Sequence, residues 1–257
     1  MESNLITLSN NIVHWIKNYI IENKLQSLVV GVSGGVDSGL VSTLCAKTGL
    51  DTYVISMPIN QEFEQLERAR NHCKWLINNF SNVRFIEKDL SEINKLISEK
   101  FLDFSDSLTN ANTKSRLRMI SLYQIAGNKK GIVVGTGNKI EDFGVGFYTK
   151  YGDGGVDISP IADLSKTEVK NMARQLGIRD FIVNAIPTDG LWEDNRTDES
   201  QIGASYEELE WAMNYNNIDK INKRQKEVLK IYTKFNIQNK HKMLPIPIFK
   251  KNEFRKN

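Results

Sequence analysis

Apolar residues recur at three- and four-residue steps between positions 4 and 23: Leu5, Leu8, Ile12, Trp15, Ile16, Tyr19 and Ile20. That is the period of an amphipathic helix. The pattern then changes. SLVVGV (27–32) is a short valine-rich run that ends in glycine, as expected of a strand buried on both faces. The two patterns then alternate. Helical segments at about 37–47, 62–79 and 111–127 precede the extended runs TYVISMP (52–58), VRFIEKD (83–89) and GIVVGTG (131–137). Strands alternating with helices predict an α/β fold, a doubly wound parallel sheet. No repeat of fixed period is present, which argues against a solenoid.

Past Asn138 the period is lost. Residues 143–160, FGVGFYTKYGDGGVDISP, are rich in glycine and aromatics and read as a long ordered loop. SKTEVKNMARQLG (165–177) is a helix with its signals in place: Ser165 as cap, Glu168 three residues on, Gly177 after the end. Residues 186–204 read as a polar loop, ASYEELEWAMNY and 217–235 as helices, and KMLPIPIF as a proline-limited extended tail. Nothing resembles an interdomain linker, so residues 1–257 are expected to form one domain with C-terminal helical additions.

Composition narrows the function only slightly. The 257 residues are 40% hydrophobic and 25% charged, which is ordinary globular composition. A net charge of +3 does not argue for a nucleic-acid partner. The charge is uneven, since residues 219–257 carry twelve Lys/Arg against three Asp/Glu. Cys45 and Cys73 make neither a disulfide framework nor a zinc site and read as small core residues. The N-terminus lacks a signal-peptide pattern and no apolar run spans a bilayer. The expectation is a cytoplasmic protein with no membrane and no nucleic-acid partner. No Ser-His or Cys-His constellation suggests a nucleophile.

The chemistry is concentrated in VVGVSGGVDSGL (29–40). A strand runs into Ser33-Gly34-Gly35-Val36-Asp37-Ser38, where a helix begins. Glycines let the backbone approach an anion, and successive N–H groups at a helix N-terminus cradle it. Ser33 and Ser38 add hydroxyl donors. Asp37 repels phosphate by itself, and makes sense if it holds a cation such as Mg²⁺ that bridges to phosphates. The P-loop pattern G-x-x-x-x-G-K-[ST] and the dinucleotide fingerprint G-x-G-x-x-G are both absent.

SGGVDS resembles the pyrophosphate-binding loop of the ATP-pyrophosphatase superfamily, whose sheet is of the adenine nucleotide alpha hydrolase-like kind. Further segments resemble the NAD synthetases within it: NTKSRLRM (112–119), GTGNKIED (135–142), GFYTKYGDGGVDISPI (146–161), LSKTEV (164–169), PTDGLW (187–192), TDESQIGASYEELE (197–210) and HKMLP (241–245). The chain is similar to the ammonia-dependent members over nearly its whole length.

The resemblance implies site residues one by one. Ser33, Gly34, Gly35, Val36, Asp37 and Ser38, with Arg116, Thr136, Lys150, Lys166 and Thr188, would face ATP. Asp37 and Glu141 would hold Mg²⁺. Phe143, Tyr148, Asp153 and Asp157 would meet the pyridine acid or the incoming ammonia, with Phe147 and Tyr151 in the same aromatic loop. Asp153, Lys150 and Lys166 would carry the catalysis. The apolar strand ends Val30–Val32 and Ile55–Met57 are where adenine is expected. The substrates implied are ATP, nicotinic acid dinucleotide or mononucleotide, and ammonia. With Ser33 already opening the first sheet loop, no glutamine hydrolase domain is expected upstream and free ammonia is the expected nitrogen source. A homodimer is implied as well. Two positions depart from the family pattern: Gly137, where Asp is usual, and Met243, where a basic residue is frequent.

Overall fold

A computed structural model describes residues 2–188, 190–192, 194, 196–216 and 220–251. Among these, four strands, β1 (Ser27–Gly31), β2 (Asp51–Ser56), β3 (Val83–Glu87) and β4 (Gly131–Val133), form one sheet in the order β3-β2-β1-β4. All pairings are parallel, with Ser27 opposite both Asp51 and Gly131. The chain leaves β1 toward β2 and β3, then returns to place β4 on the other side of β1. The loops after β1 and β4 therefore diverge, opening a crevice at the carboxyl edge of the sheet.

Helices cover both faces. α1 (Glu2–Glu22), α2 (Val36–Lys47) and α6 (Lys166–Gln175) lie on one side, with α3 (Phe63–Asn79) following between β2 and β3. α4 (Ser91–Lys100) and α5 (Ser107–Asn128) follow β3. The strand period places successive side chains on opposite faces. Leu28 and Val30 pack with Ile16, Leu40, Val169 and Met172, whereas Val29 packs with Ile55, Leu117 and Val133. Each such buried aliphatic side chain stabilises the fold by about 1.5–3 kcal/mol. The doubly wound parallel sheet expected from the sequence is present.

A separate apolar cluster organises the C-terminal part. α7 (Asp180–Val183), α8 (Asp198–Ile202), α9 (Tyr206–Asn214) and α10 (Lys223–Met243) complete the chain. Ile202, Tyr206, Leu209 and Val228 close around Ile140 and Val145. Ser165 and Glu168 form the expected reciprocal cap of α6, and Gly177 takes a left-handed φ of 74° just beyond it.

Four segments differ from their pattern. α4 is not evident in the sequence because its apolar stripe is short and faces water: Ile93 and Leu96 are about half exposed. The loop expected over 143–160 begins inside a π-helical segment, Ile140–Val145, closed by Gly146 at φ 64°. The loop expected over 186–204 contains α8, capped by Thr197. The helix expected over 217–235 begins at Lys223 and continues to Met243. Residues 217–219 of that expectation lie outside the described residues. No helix among the described residues is long and apolar enough to cross a membrane.

Candidate active site

α2 begins at Val36 after Gly35, and no side chain caps it among the described residues. Its first intrahelical amide bond is Gly39 N–H to Gly35 O, 3.0 Å. The amides of Val36, Asp37 and Ser38 have no carbonyl a turn below them. They lie at the positive end of a twelve-residue helix, where an anion is favoured. The preceding turn holds its own shape. Ser33 Oγ and Ser38 Oγ are 3.1 Å apart, and the Ser38 hydroxyl donates to Gly35 O at 3.0 Å. Gly34 adopts φ 87°, and a β-carbon there would come within 2.8 Å of Gln65 O on α3. Gly34 therefore shapes the turn from behind.

This turn forms one wall of a cavity of about 260 Å³. The ends of β1 and β2 supply Gly31, Val32, Ser56 and Met57, and the loop after β4 supplies Gly135, Thr136 and Gly137. Thr188, Tyr148, Asp153, Asp37, Glu141 and Lys166 also line it. Val30 and Ile55, considered for adenine, are fully buried in the core, whereas Val32 and Met57 reach the cavity.

At its base a single ammonium joins two carboxylates. Lys166 is 3% exposed. Its Nζ donates to Asp37 Oδ2 at 2.5 Å and to Glu141 Oε1 at 3.2 Å. Asn138, fully buried, donates from Nδ2 to Asp37 Oδ1 at 3.0 Å and so ties the loops after β1 and β4 across the crevice. The Tyr206 hydroxyl donates to Glu141 Oε1 at 2.6 Å, with Asp198 Oδ2 at 3.2 Å. The Tyr206 ring centroid lies 4.5 Å from the ammonium. Burial opposes the charge of Lys166, but Asp37 and Glu141 outweigh it and raise the ammonium above the ordinary lysine range. Burial raises Glu141, as does the charge of Asp37, against the pull of Lys166.

Asp142, beside Glu141, also lines the cavity. Burial, then the charges of Glu141, Asp153 and Asp37, push it up to about 7. Burial, then Asp142 and Asp153, push Tyr148 up to about 12. Asp153 is clasped between α5 and its own loop: Oδ1 accepts from the Ser115 hydroxyl at 2.7 Å and from Thr149 N–H at 3.0 Å.

α5 is the rack for the surrounding loops. Ser115, Arg118, Met119 and Leu122 face the cavity at helical spacing. Asn112 accepts from the Thr149 hydroxyl, Lys114 donates to Leu191 O, and Arg118 donates to Met57 O and Gln61 Oε1. Each of these fastens a different loop at the cavity rim.

The model of the NAD synthase family matches residues 8–257. An NH(3)-dependent NAD(+) synthetase of Finegoldia magna is 37% identical over 229 residues, 87% of this chain and 92% of that protein. One of Carboxydothermus hydrogenoformans is 38% identical over 79% of this chain and 82% of its own. The chain belongs to the NAD synthase family. Among solved structures, the NMN synthetase of Francisella tularensis superposes with a TM-score of 0.86 at 25% identity, covering 96% of this chain and 98% of that one.

Not every residue matched to a family motif reaches the cavity. Arg116 is exposed on α5, and its guanidinium contacts Lys150 O at 3.4 Å. Helical phase carries the signal that separates it from Arg118, because 118 and not 116 shares the face of 115, 119 and 122. Lys150 Nζ donates to His241 O at 2.9 Å, on the outer side of the aromatic loop. Asp157 caps the outer edge of β4, accepting from Val133 N–H at 2.8 Å and from the Tyr123 hydroxyl at 3.0 Å. Phe143 and Tyr151 are about half exposed. Phe143 and Asp157 line a separate surface depression with Trp15 and Tyr19. The residues that join the site without having been singled out are Asn138, Asp142, Tyr206, Asp198, Ser115 and Arg118.

One Ser-His pair is present in the core, and its setting is not that of a nucleophile. Ser42 Oγ and His72 Nε2 are 3.0 Å apart, and both residues are fully buried. The pair joins α2 to α3, and the Ser42 hydroxyl also lies 2.7 Å from Ser38 O and 3.1 Å from Gly39 O within α2. With no access for a substrate, it serves packing rather than nucleophilic catalysis. Cys45 and Cys73 are buried thiols, and burial raises both.

Proposed function

We propose that the protein amidates nicotinic acid adenine dinucleotide with ammonia at the expense of ATP, giving NAD, AMP and pyrophosphate. What carries the reading is one meeting point: an uncapped helix N-terminus and two carboxylates sharing a cation, in one cavity, in a chain of the NAD synthase family.

A carboxylate does not exchange oxygen for nitrogen unaided, because oxide is a poor leaving group. In the first step a carboxylate oxygen of the acid attacks the α-phosphorus of ATP, and the bond to pyrophosphate breaks. In the second, ammonia attacks the acyl carbon, AMP departs with the carboxylate oxygen, and a proton is released. The protein's task is to align these groups and offset their negative charge. The amides of Val36, Asp37 and Ser38 and the hydroxyls of Ser33 and Ser38 receive the pyrophosphate portion. Thr136 and Thr188 supply hydroxyls on either side. Lys166 reaches this loop through its bond to Asp37. Tyr148 and Phe147 supply flat surfaces for the pyridine ring, and Asp153 borders the space left for ammonia. Lys166 lines the cavity whereas Arg116 and Lys150 do not, so the phosphate role is assigned to Lys166 and the loop.

Asp37 and Glu141 fit a divalent cation, because their oxygens already converge on one positive charge. Magnesium bound by one or two carboxylates and completed by phosphates would neutralise the triphosphate. The reading also takes the protein as a cytoplasmic homodimer.

A second reading concerns the acid. The likeness to an NMN synthetase structure favours nicotinic acid mononucleotide, through the same chemistry. Purified protein supplied with ATP, Mg²⁺ and ammonium is expected to turn over the dinucleotide faster than the mononucleotide, and to make no amide from glutamine. Preference for the mononucleotide selects the second reading. No amide from either acid refutes both.

A further inference from the structure

The two residues assigned to metal already hold a cation, and that cation belongs to the protein. Lys166 Nζ contacts Asp37 Oδ2 and Glu141 Oε1, with only 4% of its side chain exposed. Each carboxylate also receives a neutral donor, Asn138 Nδ2 on Asp37 and the Tyr206 hydroxyl on Glu141. Those donors keep the carboxylate pair in register from both sides, while the Tyr206 ring lies 4.5 Å from the ammonium. Lys166 is also the first residue of α6, the end of a helix that disfavours a positive charge. Its helix does not hold the ammonium there. The carboxylates do.

A divalent cation on the same oxygens cannot share the position with an ammonium about 3 Å away, because the two charges repel strongly at that distance inside a protein. Moving Lys166 out without giving it a new partner would leave a buried charge uncompensated, which is strongly unfavourable. Nucleotide phosphates remove both obstacles. They offer the lysine a second set of oxygens next to Asp37, in the loop where α2 starts, and they add ligands for the metal.

We propose that Lys166 is the internal occupant of the metal position, and that it makes divalent-cation binding conditional on nucleotide. The proposal rests on the reading of Asp37 and Glu141 as the metal carboxylates. Lys166 thereby holds two partners in succession, the carboxylates before nucleotide arrives and the phosphates afterwards.

The test is Mn²⁺ binding, followed by electron paramagnetic resonance of unbound Mn²⁺, with and without the non-cleavable analogue α,β-methylene-ATP. The wild-type protein is expected to bind Mn²⁺ weakly alone and at least tenfold more tightly with the analogue. Lys166→Met, which leaves the carboxylates one cation short, is expected to bind Mn²⁺ without nucleotide at least tenfold more tightly than wild type. Lys166→Arg retains a cation and is expected to keep the weak wild-type affinity. If Lys166→Met binds Mn²⁺ no more tightly than wild type, the proposal is overturned while the metal assignment stands. If neither protein binds Mn²⁺ even with the analogue, both fall. Should Lys166→Met fold poorly, Lys166→Gln replaces it. A rise in melting temperature with Mn²⁺, larger for that variant than for wild type, supports the proposal, and an equal or smaller rise overturns it.

Discussion

The Asp142 carboxylate fills the space that a side chain at Gly137 would need. A β-carbon built on Gly137 would collide with both carboxylate oxygens of Asp142. Position 137 is glycine here, and a carboxylate lies against it from the π-helical segment that carries Glu141. Gly137→Asp should therefore clash sterically and place two like charges together, lowering stability by about 1–3 kcal/mol. Adding Asp142→Ala should recover most of the loss. Thermal melting of the single and double variants checks this, and a Gly137→Asp protein that melts like wild type would contradict it.

Acid stability should depend on His72. Burial holds its imidazole down to about 4, from an ordinary value of 6.5. As pH falls, the unfolded chain takes the proton first, so the folded state loses ground. This contribution is complete above pH 6.5 and drains away toward pH 4, by up to about 3 kcal/mol. Urea unfolding of wild type and His72→Asn at pH 7 and pH 4.5 should show a smaller acid-induced loss in the variant. Equal losses would remove His72 from the account.

Ser42→Ala should retain turnover within about twofold, since the hydroxyl is sealed between α2 and α3. Ser38→Ala, in the loop that lines the cavity, should lower kcat/KM by about tenfold or more, the scale of one charge-assisted hydrogen bond. Steady-state kinetics with ATP as the varied substrate separates the two.

α10 should set the shape of the aromatic loop. Asn236 donates to Gly144 O, Asn239 to Val145 O, and Lys242 to both Gly146 O and Tyr148 O. These carbonyls sit where the π-helical segment ends and have no next turn to bond. Lys242→Met should loosen residues 143–150, raise their amide hydrogen exchange and raise KM for the acid several-fold, with KM for ATP nearly unchanged. An equal rise in both constants would make α10 a general stabiliser instead.

The parallel sheet was readable because its strands are short apolar runs between strongly periodic helices, and the α6 cap because Ser165, Glu168 and Gly177 are local signals. The geometry of the turn from Ser33 to Ser38 was readable for the same reason, since it is set by backbone and near neighbours. The connections between distant segments were not. Tyr206 is one aromatic residue in a helical stripe and resembles a core residue, which it also is. Only the packing of α9 against the π-helical segment brings its hydroxyl to Glu141. Asn138 and Asp142 needed the geometry after β4. The orientation of Lys150 and Arg116 away from the cavity depends on α10 and on the phase of α5. The sequence placed Lys166 with the phosphates, and its buried bond to Asp37, 129 positions away, required the fold.

The central claim is that the acid is activated by transfer of its carboxylate oxygen onto the α-phosphorus of ATP. Nicotinic acid adenine dinucleotide labelled with ¹⁸O in the pyridine carboxylate tests it most directly, with mass spectrometry of the nucleotide released in the presence of ammonium. The account predicts AMP that carries one ¹⁸O for each amide formed, and unlabelled pyrophosphate. Unlabelled AMP, or ADP with labelled phosphate, would contradict it.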